Sequence, residues 1–224
     1  MTEPTLTIPR RYRGPATSSN GGWIAGRLAR EIGGPAEVTL RLPPPVARPL
    51  VLGRDGERVL LHDGDALVAE ARPADPGLVA PVAPRFDDLA GRDQPAGWLT
   101  EAFGECFSCG HRPEGDGLEI HPLPWEGGVA APWVAREVML ETVWAAIDCS
   151  GAYAVGGLGR GAPLLARMTA RVERLPREGE RCVVVAWPLG EDGRKLHAGT
   201  ALVGDDGATL AVSRQLWVIP RSSG

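Results

Sequence analysis

The 224-residue sequence holds a single lysine, Lys195, only four histidines, four cysteines and 5% aromatic residues. It has no apolar run long enough to cross a bilayer, and its first stretch, MTEPTLTIPRRYRGP, lacks the charged-then-apolar order of a signal peptide. A soluble, cytoplasmic protein is therefore expected, and in that compartment a disulfide scaffold is not. With a formal charge of −4 there is no global attraction to nucleic acid or acidic membranes, so neither is expected as a partner. Arg, Ala, Gly and Pro are abundant instead, a bias that points to a GC-rich genome rather than to a function. The 43% of apolar residues can bury one large domain, or two of about 100 residues each.

The stretch SSNGGW (residues 18–23) poses the first specific question, because two glycines stand where a helix should begin. Ser19 or Asn20 can act as an ordinary cap. Alternatively, the glycines let a ligand approach the unpaired N–H groups at a helix N-terminus, where the dipole favours an anion or oxyanion. The run NGGWIAGRLAREIGG then carries Ile24, Leu28 and Ile32 at helical spacing and stops at Gly33-Gly34. AEVTLRLP alternates as a half-buried strand, and the next segment has Asp55-Gly56 and Asp63-Gly64 as hairpin turns. Residues 73–100 are rich in Pro, Gly and Asp without a period and read as a linker.

The same order then returns. REVMLETVWAAIDCSGAYAV reads as a second, apolar helix, and a second meander comes after it with turns at Asp192-Gly193 and Asp206-Gly207. Arg41-Leu42-Pro43 corresponds to Arg174-Leu175-Pro176, and HDGDALVAEA to DDGATLAVSR, with a slip near Arg174 that calls for a bulge. The chain thus reads as a duplicated helix-plus-antiparallel-sheet unit: residues 1–82, a linker at 83–105, and residues 106–224. The second unit has a preamble that reads as a hairpin turning at Glu126-Gly127-Gly128, and TLTIP is its short counterpart in the first.

This arrangement resembles the hotdog fold, and two units in one chain look like the double-hotdog acyl-CoA thioesterases. CFSCGHRPEGDGLEI, residues 106–120, is similar to the Cys-x-x-Cys-Gly…Gly-Leu segment of many hotdog thioesterase-like proteins. In one branch, His-Gly-Gly opens the helix and an acid lies seven positions beyond the second Gly. Here Asn20-Gly21-Gly22 fits the opening with Asn in place of His, while Ala29 stands at the acidic position. In the second unit, Asp148 fills the acidic position and Met139-Leu140-Glu141 replaces the opening. Each unit keeps one half of the motif.

The resemblance implies an α+β double hotdog whose two sheets form one surface around two central helices. It also implies one composite site between the repeats, the opposite one, with Ala29 and Glu141, being vestigial. Thioester hydrolysis there assigns Asp148 as base or nucleophile, Gly22 as an oxyanion-binding N–H, and Asn20 as a hydrogen-bonding group. Gly21, Trp23, Trp144 and Arg160 are the expected substrate-binding residues, the tryptophans along an acyl tunnel and Arg160 at a coenzyme A phosphate. The partner is an acyl-CoA or acyl-carrier thioester, no metal or redox cofactor is needed, and a pairing of two such chains is open. A non-catalytic acyl-CoA or lipid binder is the first alternative, and a hotdog hydratase or dehydratase ranks behind it because neither helix contains a His.

Other patterns compete. Cys106-x-x-Cys109 with His111 and His121 can be drawn as a zinc site, but it lacks a second tight ligand pair, and buried thiols are the preferred reading. GLGRGA, residues 157–162, satisfies a dinucleotide-binding pattern, but its flanks repeat as strands, so a loop is expected.

Overall fold

The computed structural model describes residues 4–95, 103–156 and 162–221. The amphipathic run after Asn20 folds as α1 (Gly21–Ile32), with Ile24 and Leu28 wholly buried, and Gly33 ends it in the left-handed conformation. Before it lies a three-residue strand, β1 (Thr5–Thr7). After it the alternating segments become β2 (Ala36–Leu40), β3 (Pro49–Asp55), β4 (Arg58–Asp63) and β5 (Ala66–Pro73). The Asp-Gly pairs make the hairpin turns, with Gly56 and Gly64 at φ of 59° and 57°, a conformation that Gly adopts without strain. Residues 83–95 contain a single helical turn, α2 (Phe86–Leu89).

The second half opens with the hairpin β6 (Leu123–Trp125) and β7 (Gly128–Val134) and closes with β8 (Leu164–Val172), β9 (Arg181–Asp192), β10 (Lys195–Gly204) and β11 (Thr209–Val218). All eleven strands form one sheet in the order β1-β3-β4-β5-β2-β8-β11-β10-β9-β7-β6, with every neighbouring pair antiparallel. The halves join along β2 and β8, where Ala36 stands opposite Ala170 and Val38 opposite Met168. Outward from that seam each side runs in the same way: first strand after the helix, then last, and back to the second.

One expectation needs correction. The second apolar segment is not a continuous helix but two, α3 (Leu140–Ala146) and α4 (Ser150–Ala154), with Asp148 in the break. Polar side chains of the sheet beneath that break capture the Ile147 carbonyl. α1 and α3 run antiparallel and share one core with the sheet, built on Ile24, Leu28, Val143, Trp144, Leu196 and Leu202. Of the GLGRGA segment, residues 157–161 lie outside the described residues, and the chain continues from it into strand β8 rather than the helix a dinucleotide fold needs.

Electrostatics pin the turn into β9. The Glu180 carboxylate accepts hydrogen bonds from Arg174 Nη1 at 2.9 Å, Arg174 Nη2 at 2.8 Å and the Arg177 N–H at 2.7 Å. Arg174 above all, with the Arg177 N–H, holds the Glu180 carboxyl down at about 2, below its ordinary 4.5. A depressed carboxylate stabilises the fold above its unfolded value and loses that contribution as the pH falls towards 2. Arg174 is partly exposed, so Glu180→Gln is expected to cost only about 1 kcal/mol at pH 7, a difference that narrows on acidification; urea midpoints across pH check it.

Candidate active site

Asn20 immediately precedes α1, and its Oδ1 accepts the Trp23 N–H at 2.8 Å. That bond caps the helix and fixes which way the amide faces, oxygen towards the helix and NH₂ away from it. The NH₂ group then donates to Asp148 Oδ2 at 2.9 Å, and the Gly22 N–H donates to the same oxygen at 2.9 Å. The cap and the helix-terminal anion site suggested by SSNGGW are therefore one arrangement, and its anion is a side chain of the other half of the protein.

The glycines explain how that side chain comes within reach. A Cβ on Gly22 would lie 2.4 Å from the Trp144 carbonyl oxygen and 2.6 Å from Asp148 Cβ, and one on Gly26 would lie 2.8 Å from Glu141 Cα. α1 and α3 thus touch backbone to backbone, an approach open only to residues without a Cβ. At Gly21 the obstacle would be the Leu165 side chain, at 2.9 Å. This corrects the expectation for Gly22: its N–H holds Asp148 instead of facing a substrate carbonyl. Among the described residues, the first N–H of the helix, that of Gly21, has no acceptor.

Asp148 owes its place to polar residues that the sequence alone did not single out. The Ile147 carbonyl accepts from Thr200 Oγ1 at 2.8 Å and from Gln215 Nε2 at 2.6 Å. Thr200 also bonds Ser213 at 2.7 Å, and Trp217 Nε1 donates to Gln215 Oε1 at 2.8 Å. All four side chains are buried. The available signal was the pairing of polar Thr200 and Ser213 across β10 and β11, each beside an apolar residue, Ala201 and Val212 respectively. Thr200→Val leaves Ser213 with one partner fewer in a buried setting and is expected to lower stability by about 1–3 kcal/mol, as read from urea unfolding.

Asp148 is only 2% exposed. Burial pushes its carboxyl up to about 7, while the Gly22 N–H and the Asn20 amide pull the other way. Its second oxygen, Oδ1, has no hydrogen-bond partner among the described residues. Asp148 is among the residues that line a largely apolar cavity of about 470 Å³, with Asn20, Gly21, Cys106, Leu165 and Trp217.

The remaining expected residues fall elsewhere. Neither Trp23 nor Trp144 lines this cavity: Trp23 stacks on Tyr12 with ring centroids 4.3 Å apart, and Trp144 is sealed in the core where the helices meet. Their size suits the helix–sheet core, and Trp217 on β11 is the tryptophan at the cavity. Arg160 lies outside the described residues. At the opposite position, Ala29 is buried and Glu141 is paired with Arg30 through two hydrogen bonds, one of them 2.8 Å long. Cys106 and Cys109 are buried as expected, and His111 and His121 pair with each other at a ring distance of 4.6 Å.

One antiparallel sheet curled around central helices, with a polar site where the two helices cross, defines an α+β double hotdog, the architecture of hotdog thioesterase-like proteins. Solved structures share it over nearly the whole chain. A thioesterase candidate from Novosphingobium aromaticivorans is 12% identical with a TM-score of 0.68, covering 97% of this chain and 95% of its own. A hotdog-fold protein of unknown function from Alicyclobacillus acidocaldarius is 13% identical with a TM-score of 0.62, covering 97% and 92%. An acyl-CoA thioesterase II from Mycobacterium marinum is 13% identical with a TM-score of 0.60, covering 98% and 93%. No protein-family model matches the chain, and no curated protein matches it.

Proposed function

We propose that this protein hydrolyses an acyl thioester, with acyl-CoA the preferred carrier, at one composite site between two repeats, residues 1–82 and 106–224, joined by 83–105. The observation that carries this reading is a buried carboxylate, Asp148, gripped through one oxygen by Asn20 and Gly22, at the wall of an apolar cavity. Thioesterases among the solved structures of the same fold point the same way.

In this mechanism Asn20 and the Gly22 N–H orient Asp148, and its carboxylate accepts a proton from water as the water oxygen attacks the thioester carbonyl carbon, a step for which water has to reach the buried Oδ1. A carboxyl held near neutrality is suited to that exchange. The negative charge on the carbonyl oxygen is met at the start of α1 by the Gly21 N–H, a preorganised donor of a kind worth roughly 3 kcal/mol of barrier in a dry site. The tetrahedral intermediate collapses by breaking the carbon–sulfur bond, and the departing thiolate takes the proton from Asp148. The acyl chain lies along Leu165 and Trp217, and the second site is closed by the Arg30–Glu141 pair.

The test is hydrolysis of short, medium, long and aryl acyl-CoA substrates, followed by chromatography so that the protein's own thiols do not interfere. Turnover with a preference among chains is expected. Tight binding without turnover would replace the enzyme with an acyl-CoA binder.

A further inference from the structure

The Cys-x-x-Cys segment lacks a second tight ligand pair in the sequence, but the fold supplies a third sulfur. Cys149, in the break between α3 and α4, joins Cys106 and Cys109 so that all three sulfurs lie within 4.8 Å of one another, each buried. None is in a disulfide. Three further features separate this cluster from thiols that merely fill a core.

The first is spacing. Cys106 Sγ and Cys149 Sγ are 3.7 Å apart, and two sulfurs bound tetrahedrally to zinc at about 2.3 Å are separated by about 3.8 Å. The second is the turn. The Gly110 N–H bonds the Cys106 carbonyl at 2.9 Å, and a Cβ on Gly110 would lie 2.4 Å from the Cys106 nitrogen. The turn is therefore tight enough to require glycine, and it presents both thiols to the same side. The third is the donors. Asn20 Nδ2 lies 3.7 Å from Cys106 Sγ and 3.8 Å from Cys149 Sγ, so a side-chain NH₂ group faces two of the three sulfurs. An NH₂ donor beside two sulfurs suits thiolates better than thiols, which are weak acceptors, and such donors orient and tune metal-bound sulfur.

We propose that Cys106, Cys109 and Cys149 together bind one soft divalent cation, zinc by preference, as three thiolate ligands. Sulfur ligands select against magnesium and calcium. The three thiol protons leave to solvent as the metal–sulfur bonds form, and the fourth position falls to a solvent oxygen from the cavity that Cys106 and Cys149 line. The cation ties the segment before β6 to the α3–α4 break and, through Asn20, to the start of α1. This inference stands independently of thioester hydrolysis.

The experiment is elemental analysis of the full chain, expressed with added zinc and purified without chelators, then cobalt titration of the metal-stripped protein. The expected result is one zinc per chain and, with cobalt, sulfur-to-metal charge-transfer bands plus the visible bands of a tetrahedral site. Ser substitution at Cys106, Cys109 or Cys149 should abolish both in variants that keep a folded circular dichroism spectrum, while Cys182→Ser retains them. The cobalt spectrum of the wild type needs no variant, so a folding failure cannot mask the answer. A metal-free wild type without charge-transfer bands overturns the proposal, as does a Cys106–Cys149 disulfide in the non-reduced protein or a folded Cys149→Ser chain that keeps its zinc. Bound zinc without thioester turnover would sink the hydrolase reading and leave this one standing.

Discussion

Asp148→Asn is expected to cut acyl-CoA turnover by about 10²–10⁴ in a chain that still folds, the range over which a positioned general base acts. Asparagine keeps the shape, and its oxygen can accept the bonds that the Gly22 N–H and Asn20 now give to Oδ2. What it cannot do is take a proton from water. The substitution removes a buried carboxylate but puts an NH₂ group where Oδ1 now lies buried without a partner, so a stability change of no more than about 1–3 kcal/mol is expected. Steady-state rates beside urea unfolding check both halves. A folded Asp148→Asn chain with undiminished turnover would remove Asp148 from the chemistry.

Gly22→Ala should act through the fold. The added Cβ meets the Trp144 carbonyl oxygen, Asp148 Cβ and Ala145 Cα at 2.4, 2.6 and 2.9 Å, and the nearest of these is backbone that moves only if the two helices separate. Roughly 3–5 kcal/mol of stability should go, at the upper end of overpacking effects, and turnover with it, because separation pulls Asp148 from its donors. Gly21→Ala is the contrast, since its new Cβ meets the end of the Leu165 side chain, which can turn aside. Thermal or urea unfolding of the pair decides the matter: equal losses would mean that the helix crossing is more compliant than the backbone contact implies.

Much of the fold was legible in the sequence because local chemistry carries it. Alternation marked the strands, Asp-Gly pairs marked the hairpins, and Ile24, Leu28 and Gly33 marked the face and end of α1. Asn20 and Asp148 could be matched because their positions in the two repeats are complementary, and the structure places them 2.9 Å apart. What stayed hidden depends on where the second apolar segment breaks. In REVMLETVWAAIDCSGAYAV only Asp148 followed by Cys149-Ser150-Gly151 hints at a helix end, and what fixes the break, the partners of the Ile147 carbonyl, comes from β10 and β11. That break also carries Cys149 to Cys106 across 43 positions, a pairing that spacing arguments do not reach. The tryptophans misled for a related reason: size and position on a central helix suit a core as well as a channel.

The outermost strands of the sheet have a consequence for behaviour in solution. A sheet of this width ends in two rows of unpaired N–H and C=O groups, which act as templates for chain-to-chain pairing and aggregation. Here those rows begin with β1 and β6, each only three residues long, with Pro4 just before the first and Pro124 in the middle of the second, and continue along the uncovered ends of β3 and of β7, the latter holding Pro132. Proline has no N–H to offer a further strand. Short strands and prolines thus blunt both rims against open-ended strand pairing.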